Sequence, residues 1–301
     1  MRAGTWPSSR STGWGRLGLA PVAGPANEAM RQAWDGPEGA QWSELAEGFE
    51  RASTEHRAVL LRAAALAPGE DVLDLGCGNG ALSLQAGAAV APGRVVGIDL
   101  SSAMLGNGRA RAAAAGRSNV SFVHADAQVY AFEPASFDVV VSNAGAMFFD
   151  DQSAAFTNLR TALKPRGRIV LLVWQVLENN EWLTELRRAL ALGRDLPTPP
   201  VGTPGPFGLA DPDHTRDLLA RTGYGSIRIE DVRPPMRVGD DVESAYSFVS
   251  RIGNTRGLLE DLGEDDRITA LNNLRTVLTE HSTPQGVVLG TASWLVTAAR
   301  S

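Results

Sequence analysis

Val72-Leu73-Asp74-Leu75-Gly76-Cys77-Gly78-Asn79-Gly80-Ala81 reads as a short apolar strand that breaks at a glycine turn and restarts as a helix. Glycine tolerates positive φ and lets a ligand approach the backbone. Outward from this stretch, strand-like runs alternate with helical ones. Strands are expected at 71–75, 94–98, 120–123, 137–141 and 168–173, and helices at 81–91, 102–115 and 152–163. That alternation is the mark of a doubly wound parallel sheet, an α/β fold. A helical stretch at 28–66 precedes it. After Trp174 come helices at 183–192 and 212–222, a Pro/Gly loop at 197–208 and a strand at 226–232. Amphipathic helices follow at 242–252 and 267–281, and 287–298 ends the chain as a strand.

The acids at the strand ends say what the turn holds. The spacing Gly76-x-Gly78-x-x-Ala81 also fits a dinucleotide fingerprint. Asp74 speaks against it, because a carboxylate at that strand end opposes a pyrophosphate. S-adenosylmethionine carries no phosphate and brings a cationic sulfonium and ammonium, which Asp74 is expected to face. Asp99 follows Gly80 by about the interval at which a second-strand acid meets a ribose. Asp126, after the third strand, can accept from an adenine amino group. Read alone it is an ordinary turn or cap residue. A nicotinamide-dependent oxidoreductase is the alternative, and so is a protein that binds S-adenosylmethionine without transferring its methyl group.

With Gly97-Ile98-Asp99, Ala125-Asp126-Ala127 and Leu163-Lys164-Pro165-Arg166-Gly167-Arg168, these segments resemble the ordered motifs of class I S-adenosylmethionine-dependent methyltransferases, in the branch similar to ubiquinone/menaquinone-type enzymes. The resemblance runs from about Trp34 to Arg300. It implies a Rossmann-like seven-stranded sheet of order 3-2-1-4-5-7-6, last strand antiparallel, with helical cap insertions. It also implies that Gly76, Cys77 and Gly78 line the methionine part and that Asp99 holds the ribose. Leu100 and Met104 would lie against the adenine, Asp126 and Ala127 beside its amino group, and Asn143 near the ammonium. Trp42 is placed with this group. The product would be S-adenosylhomocysteine. Ser142-Asn143-Ala144-Gly145-Ala146 departs from an Asn/Asp-Pro-Pro-Tyr motif, which disfavours amide or adenine nitrogen acceptors. No acid run resembles a catechol-type magnesium site.

Methyl transfer needs alignment more than a catalytic signature, so the acceptor side is weakly written. Cap elements are expected from 30–66, 176–210 and 236–284. Trp34, Met147, Phe149, Trp174 and Tyr246 are candidate substrate contacts, with core packing the rival reading. His56 and Tyr246 are the catalytic candidates, and for His56, among Glu50, Arg51 and Glu55, a solvated helix face is the rival. Cys77 reads as a small side chain accepted in a crowded turn rather than a nucleophile.

Composition sets the outer bounds. The chain has 301 residues, 44% hydrophobic and 21% charged, with a formal net charge of −6. An acidic balance is wrong for a dedicated nucleic-acid binder, and no apolar run is long enough for a membrane span. The four histidines lack zinc-type spacing, so no metal is expected. The single cysteine points to a cytoplasmic location. Lys164 is the one lysine among 28 basic residues, a bias that reads as a GC-rich bacterial genome. Residues 1–29 lack apolar periodicity and read as a disordered extension, with 30–301 a single domain. The expected partner is a small, largely apolar acceptor in natural-product or quinone chemistry, with homodimer formation left open. The acceptor atom (O, N or C) is not readable.

Overall fold

The computed structural model describes residues 27–301. The helical stretch before the glycine loop is four short helices, α1 (Glu28–Trp34), α2 (Pro37–Glu44), α3 (Ala46–Ala52) and α4 (Thr54–Ala64). Gly36, Leu45 and Ser53 mark the breaks. Then follow β1 (Val72–Leu75), α5 (Ala81–Val90), β2 (Val95–Asp99), α6 (Ser102–Ala114), β3 (Val120–His124), β4 (Phe137–Asn143), α7 (Gln152–Ala162) and β5 (Leu163–Trp174). The rest is α8 (Glu181–Ala191), α9 (Pro212–Arg221), β6 (Tyr224–Val232), β7 (Met236–Gly239), α10 (Val242–Val249), α11 (Gly253–Leu259), α12 (Glu264–Glu280), β8 (Ser282–Thr283), β9 (Gly286–Leu289) and β10 (Ser293–Arg300).

Seven strands form one sheet in the order β3-β2-β1-β4-β5-β10-β6, with β10 antiparallel to both neighbours. This is the expected sheet, β10 being its seventh strand. The period-2 alternation divides the core in two. Val72, Val170 and Leu172 face α4 and α5, where Leu60, Ala64, Leu82, Ala86 and Val90 are buried. Leu73, Leu75, Ile169, Leu171 and Val173 face the other way, toward Phe156, Leu159 and the cap.

Two expectations are corrected here. The final segment 287–298 is not one strand. It divides into β9, which joins β7 and β8 in a separate three-stranded sheet, and β10 in the main sheet. The expected extension 1–29 lies outside the described residues as far as residue 26. Residues 27–29 belong to the fold, since Asn27 is buried and bonded to Asp126 and α1 begins at Glu28. Among the described residues, no helix is long and apolar enough to cross a membrane.

A candidate cofactor and substrate cavity at the carboxyl edge of the sheet

At the junction of β1 and β4 the chain leaves the sheet in opposite directions, which opens a crevice beyond the carboxyl ends of the strands. Gly76 adopts φ +65°, and a Cβ there would sit 2.8 Å from the Gly145 Cα. Backbone meets backbone, so no side chain can yield. Ser142 fixes this approach: its hydroxyl donates to the Leu75 carbonyl at 2.8 Å and accepts from the Gly145 and Ala146 N–H groups. Gly76→Ala is expected to cost ~1–3 kcal/mol, whereas Gly106→Ala, with nothing near its Cβ, should cost nothing. Equal denaturation midpoints for the two variants would contradict this account of the turn.

The cavity at this edge is lined by Trp34, Trp42, His56, Gly76, Gly78, Asp99, Leu100, Met104, Asp126, Ala127, Asn143, Phe149 and Trp174, all of them sequence candidates. Asp99 closes the glycine loop. Its two oxygens accept from the Gly78 and Ser101 N–H groups, each at 2.8 Å. Burial pushes its pKa up. Asp126 accepts from Gln128 N–H at 2.9 Å and from the Asn27 amide at 3.2 Å. The Asn27 Oδ1 beside it has no hydrogen-bond partner.

Four candidates fall elsewhere. Asp74 shares the Val72 face of β1, so it points at α5 rather than into the cavity. It is buried, and the Ser83 hydroxyl donates to it at 2.5 Å. Burial raises its pKa to about 7, the Ser83 bond lowers it in part, and Asp99 raises it further. Asp74 therefore does not present its charge to a cationic ligand. Cys77 is buried against β2, where its Sγ occupies the space a Gly97 Cβ would need. Burial drives its thiol pKa well up. Met147 is fully buried, its sulfur accepting from the Trp174 N–H at 3.2 Å. Tyr246 sits on the side of α10 beneath Arg275, whose guanidinium lies 3.9 Å from its ring centre. The residues of that helix that line the cavity are Phe248 and Val249, and Tyr246 is not among them.

The Asp74 pKa has a signed consequence. Its folded value lies above the ordinary 3.8, so its contribution to stability is full below about pH 4 and is lost as pH rises toward 7. Asp74→Asn removes that loss. The stability of the mutant relative to wild type should improve by about 2–4 kcal/mol from pH 4 to pH 8. Denaturant titrations at the two pH values test this, and a pH-independent difference would refute it.

Most of the remaining wall comes from residues no motif marked. Trp42 stacks flat on Phe49 at 3.6 Å between ring centres, and Phe49 meets Phe248 edge-on at 5.1 Å. The Asn79 amide of the glycine loop holds the Trp42 carbonyl at 3.1 Å. Ala52, Trp182, Leu186, Met236, Val238, Val249, Ile252 and Leu289 complete an apolar extension. Gln41 donates to the Arg251 carbonyl at 2.6 Å, tying the N-terminal helices to the loop after α10 across the cavity. No Lys or Arg is found among the described residues lining the cavity.

His56 is buried in this wall, not on a solvated face. Its ring meets Trp174 edge-on at 5.2 Å. Its Nε2 lies 3.1 Å from the Thr291 hydroxyl, whose own proton goes to the Pro234 carbonyl. Nε2 must therefore carry the imidazole proton and donate, which leaves Nδ1 an acceptor. Nδ1 is buried and makes no hydrogen bond, with the Ala52 carbonyl as its polar neighbour. Burial, then the Arg57 cation, lower the His56 pKa to about 4, against a small upward pull from the Ala52 carbonyl. The ring is neutral at physiological pH.

This geometry fits the group the motifs implied. Two acids, the apolar side chains of Leu100 and Met104, and a described lining without Lys or Arg suit a cationic nucleoside. They do not suit a pyrophosphate.

Residues 72–167 match a family described as a methyltransferase domain. Over 105 residues the chain is 42% identical to the nocamycin O-methyltransferase of Saccharothrix syringae, covering 35% of this chain and 38% of that protein. It is 36% identical over 140 residues to the demethylmenaquinone methyltransferase of Clavibacter sepedonicus, covering 44% and 56%. The matched regions thus span from about a third to somewhat over half of these curated relatives. In fold it resembles the [4+2]-cyclase SpnF, with a TM-score of 0.57 at 17% identity, over 93% of this chain and 99% of that one.

Proposed function

We propose that this chain, a member of the class I S-adenosylmethionine-dependent methyltransferases, methylates a small and largely apolar acceptor bound in the cavity it shares with the cofactor. One observation carries the reading: a single cavity has carboxylates and no cations at its nucleoside end and an aromatic, apolar extension beyond.

In this reading Asp99 accepts from the ribose hydroxyls, while Asp126 and the unpartnered Asn27 Oδ1 accept from the adenine amino group. Leu100 and Met104 cover the ring. The backbone of the Gly76–Gly78 loop and the Asn143 strand end surround the methionine part. S-adenosylmethionine, when bound, supplies an electrophilic methyl group on a sulfonium. The protein positions the acceptor and excludes water through the Trp34, Trp42, Phe49 and Phe248 cover. His56 Nδ1 accepts the acceptor's proton. A base with a pKa near 4 is weak toward an unreacted hydroxyl. It suffices once the new O–C bond begins to form, because an oxygen carrying both groups is a strong acid.

The similarity to nocamycin O-methyltransferase and the arginine-rich composition support an acceptor from bacterial secondary metabolism and a cytoplasmic setting. The likeness to a cyclase keeps a second reading in view, in which the cofactor is bound but not consumed. Equilibrium dialysis with S-adenosylmethionine and with NADH tests the first step. Methyl transfer from labelled S-adenosylmethionine to a panel of phenols and enols tests the second. Binding of NADH alone would overturn the family reading, and cofactor binding without turnover on any acceptor would favour the second reading.

A further inference from the structure

We infer that the inner end of the cavity reads two oxygens of the methyl acceptor, Trp182 donating to one and His56 accepting a proton from the other. The acceptor class is therefore a hydroxylated aromatic or enolic carbonyl compound rather than a hydrocarbon or an amine. This deepens the proposed function and rests on it.

Trp182 lies on α8 with its side chain 93% buried, and its indole N–H has no partner. Buried indole N–H groups normally find an acceptor. His56 is more deeply buried, and its Nδ1 lone pair is equally without a partner. Both residues line the same cavity. Trp174 neighbours both, 5.2 Å from the His56 ring and 5.8 Å from the Trp182 ring. One donor and one acceptor thus remain unused around one indole. Leu186, Met236, Val238 and Leu289 also line the cavity and offer no polar side-chain atoms. Trp182 Nε1 and His56 Nδ1 are buried polar atoms of this lining left without a hydrogen-bond partner, and both rings meet Trp174. The indole can only donate, so it selects an oxygen with free lone pairs. The Thr291–Pro234 relay fixes His56 Nδ1 as an acceptor, so it selects a hydroxyl. An ammonium group would find no carboxylate at this end.

The test uses the protein saturated with S-adenosylhomocysteine and four probes of one shape: 2-ethylnaphthalene, 2-acetylnaphthalene, 2-naphthol and 6-acetyl-2-naphthol. Wild type should bind the acetyl probe and the naphthol each about tenfold more tightly than 2-ethylnaphthalene, and the probe with both groups tightest of all. Trp182→Phe should erase only the acetyl preference, and His56→Phe only the hydroxyl preference. In the wild type, the indole N–H resonance that Trp182→Phe removes should shift downfield with the acetyl probes, which keeps the test decisive if a variant fails to fold. Equal affinities for all four probes, no probe binding, or an unmoved resonance would overturn the inference. S-adenosylhomocysteine binding is measured in parallel. If it is absent, the methyltransferase reading fails; if it is present without probe preference, only this inference fails.

Discussion

Replacing His56 with glutamine should lower the methyl-transfer rate constant about 10²–10⁴-fold while leaving S-adenosylmethionine affinity within about twofold. Nδ1 is a buried basic lone pair in the cavity wall without a hydrogen-bond partner, and the His56 ring lies against Trp174. The same histidine makes a pH argument. Its folded pKa of about 4 lies below its ordinary 6.5, so its contribution to stability is full above about pH 6.5 and is lost as pH falls toward 4. The loss amounts to about 3 kcal/mol. The glutamine variant should lack that component, so its melting temperature should fall less steeply than wild type between pH 6.5 and 5. A variant with wild-type turnover would remove His56 from the chemistry. A variant with the wild-type pH slope would show that the ring is not held neutral.

Asp99→Ala should weaken S-adenosylmethionine binding by about a hundredfold or more, by two routes. The ribose loses charge-assisted acceptors, an effect of ~1.5–3 kcal/mol. The Gly78 and Ser101 N–H groups also lose the carboxylate that joins the glycine loop to the end of β2. Asp99→Asn separates the routes, because the amide keeps one acceptor oxygen and loses the charge. Calorimetric affinities should fall in the order wild type, Asn, Ala. Asp126→Ala should cost less, since water can replace one contact to an adenine amino group. Unchanged affinity in Asp99→Ala would take this residue out of the cofactor site.

The fold and the strand-end residues that line the cavity were legible because their signals are local. Gly76, Gly78, Asp99, Leu100, Met104 and Asp126 sit in short strand–turn–helix units, where spacing along the chain fixes position at the edge of the sheet. The same locality misled at Asp74 and Tyr246. Each lies near the site in sequence, but side-chain alternation turns Asp74 toward Ser83, and helical rotation turns Tyr246 toward Arg275.

The apolar wall of the cavity was legible only in part, through Trp34, His56, Phe149 and Trp174. His56, Trp174, Trp182, Met236, Phe248 and Leu289 come from α4, β5, α8, the small sheet and α10. No spacing relates them, because each arrives through packing. The tautomer of His56 depends on Thr291, 235 residues away, and on a carbonyl at Pro234. By itself, the sequence determined the sheet order and the glycine turn at its carboxyl edge, since those depend on local spacing and strand–helix alternation. Only the tertiary structure decided which buried donor and acceptor are left unpartnered in the cavity wall, since burial and distant hydrogen bonds set both.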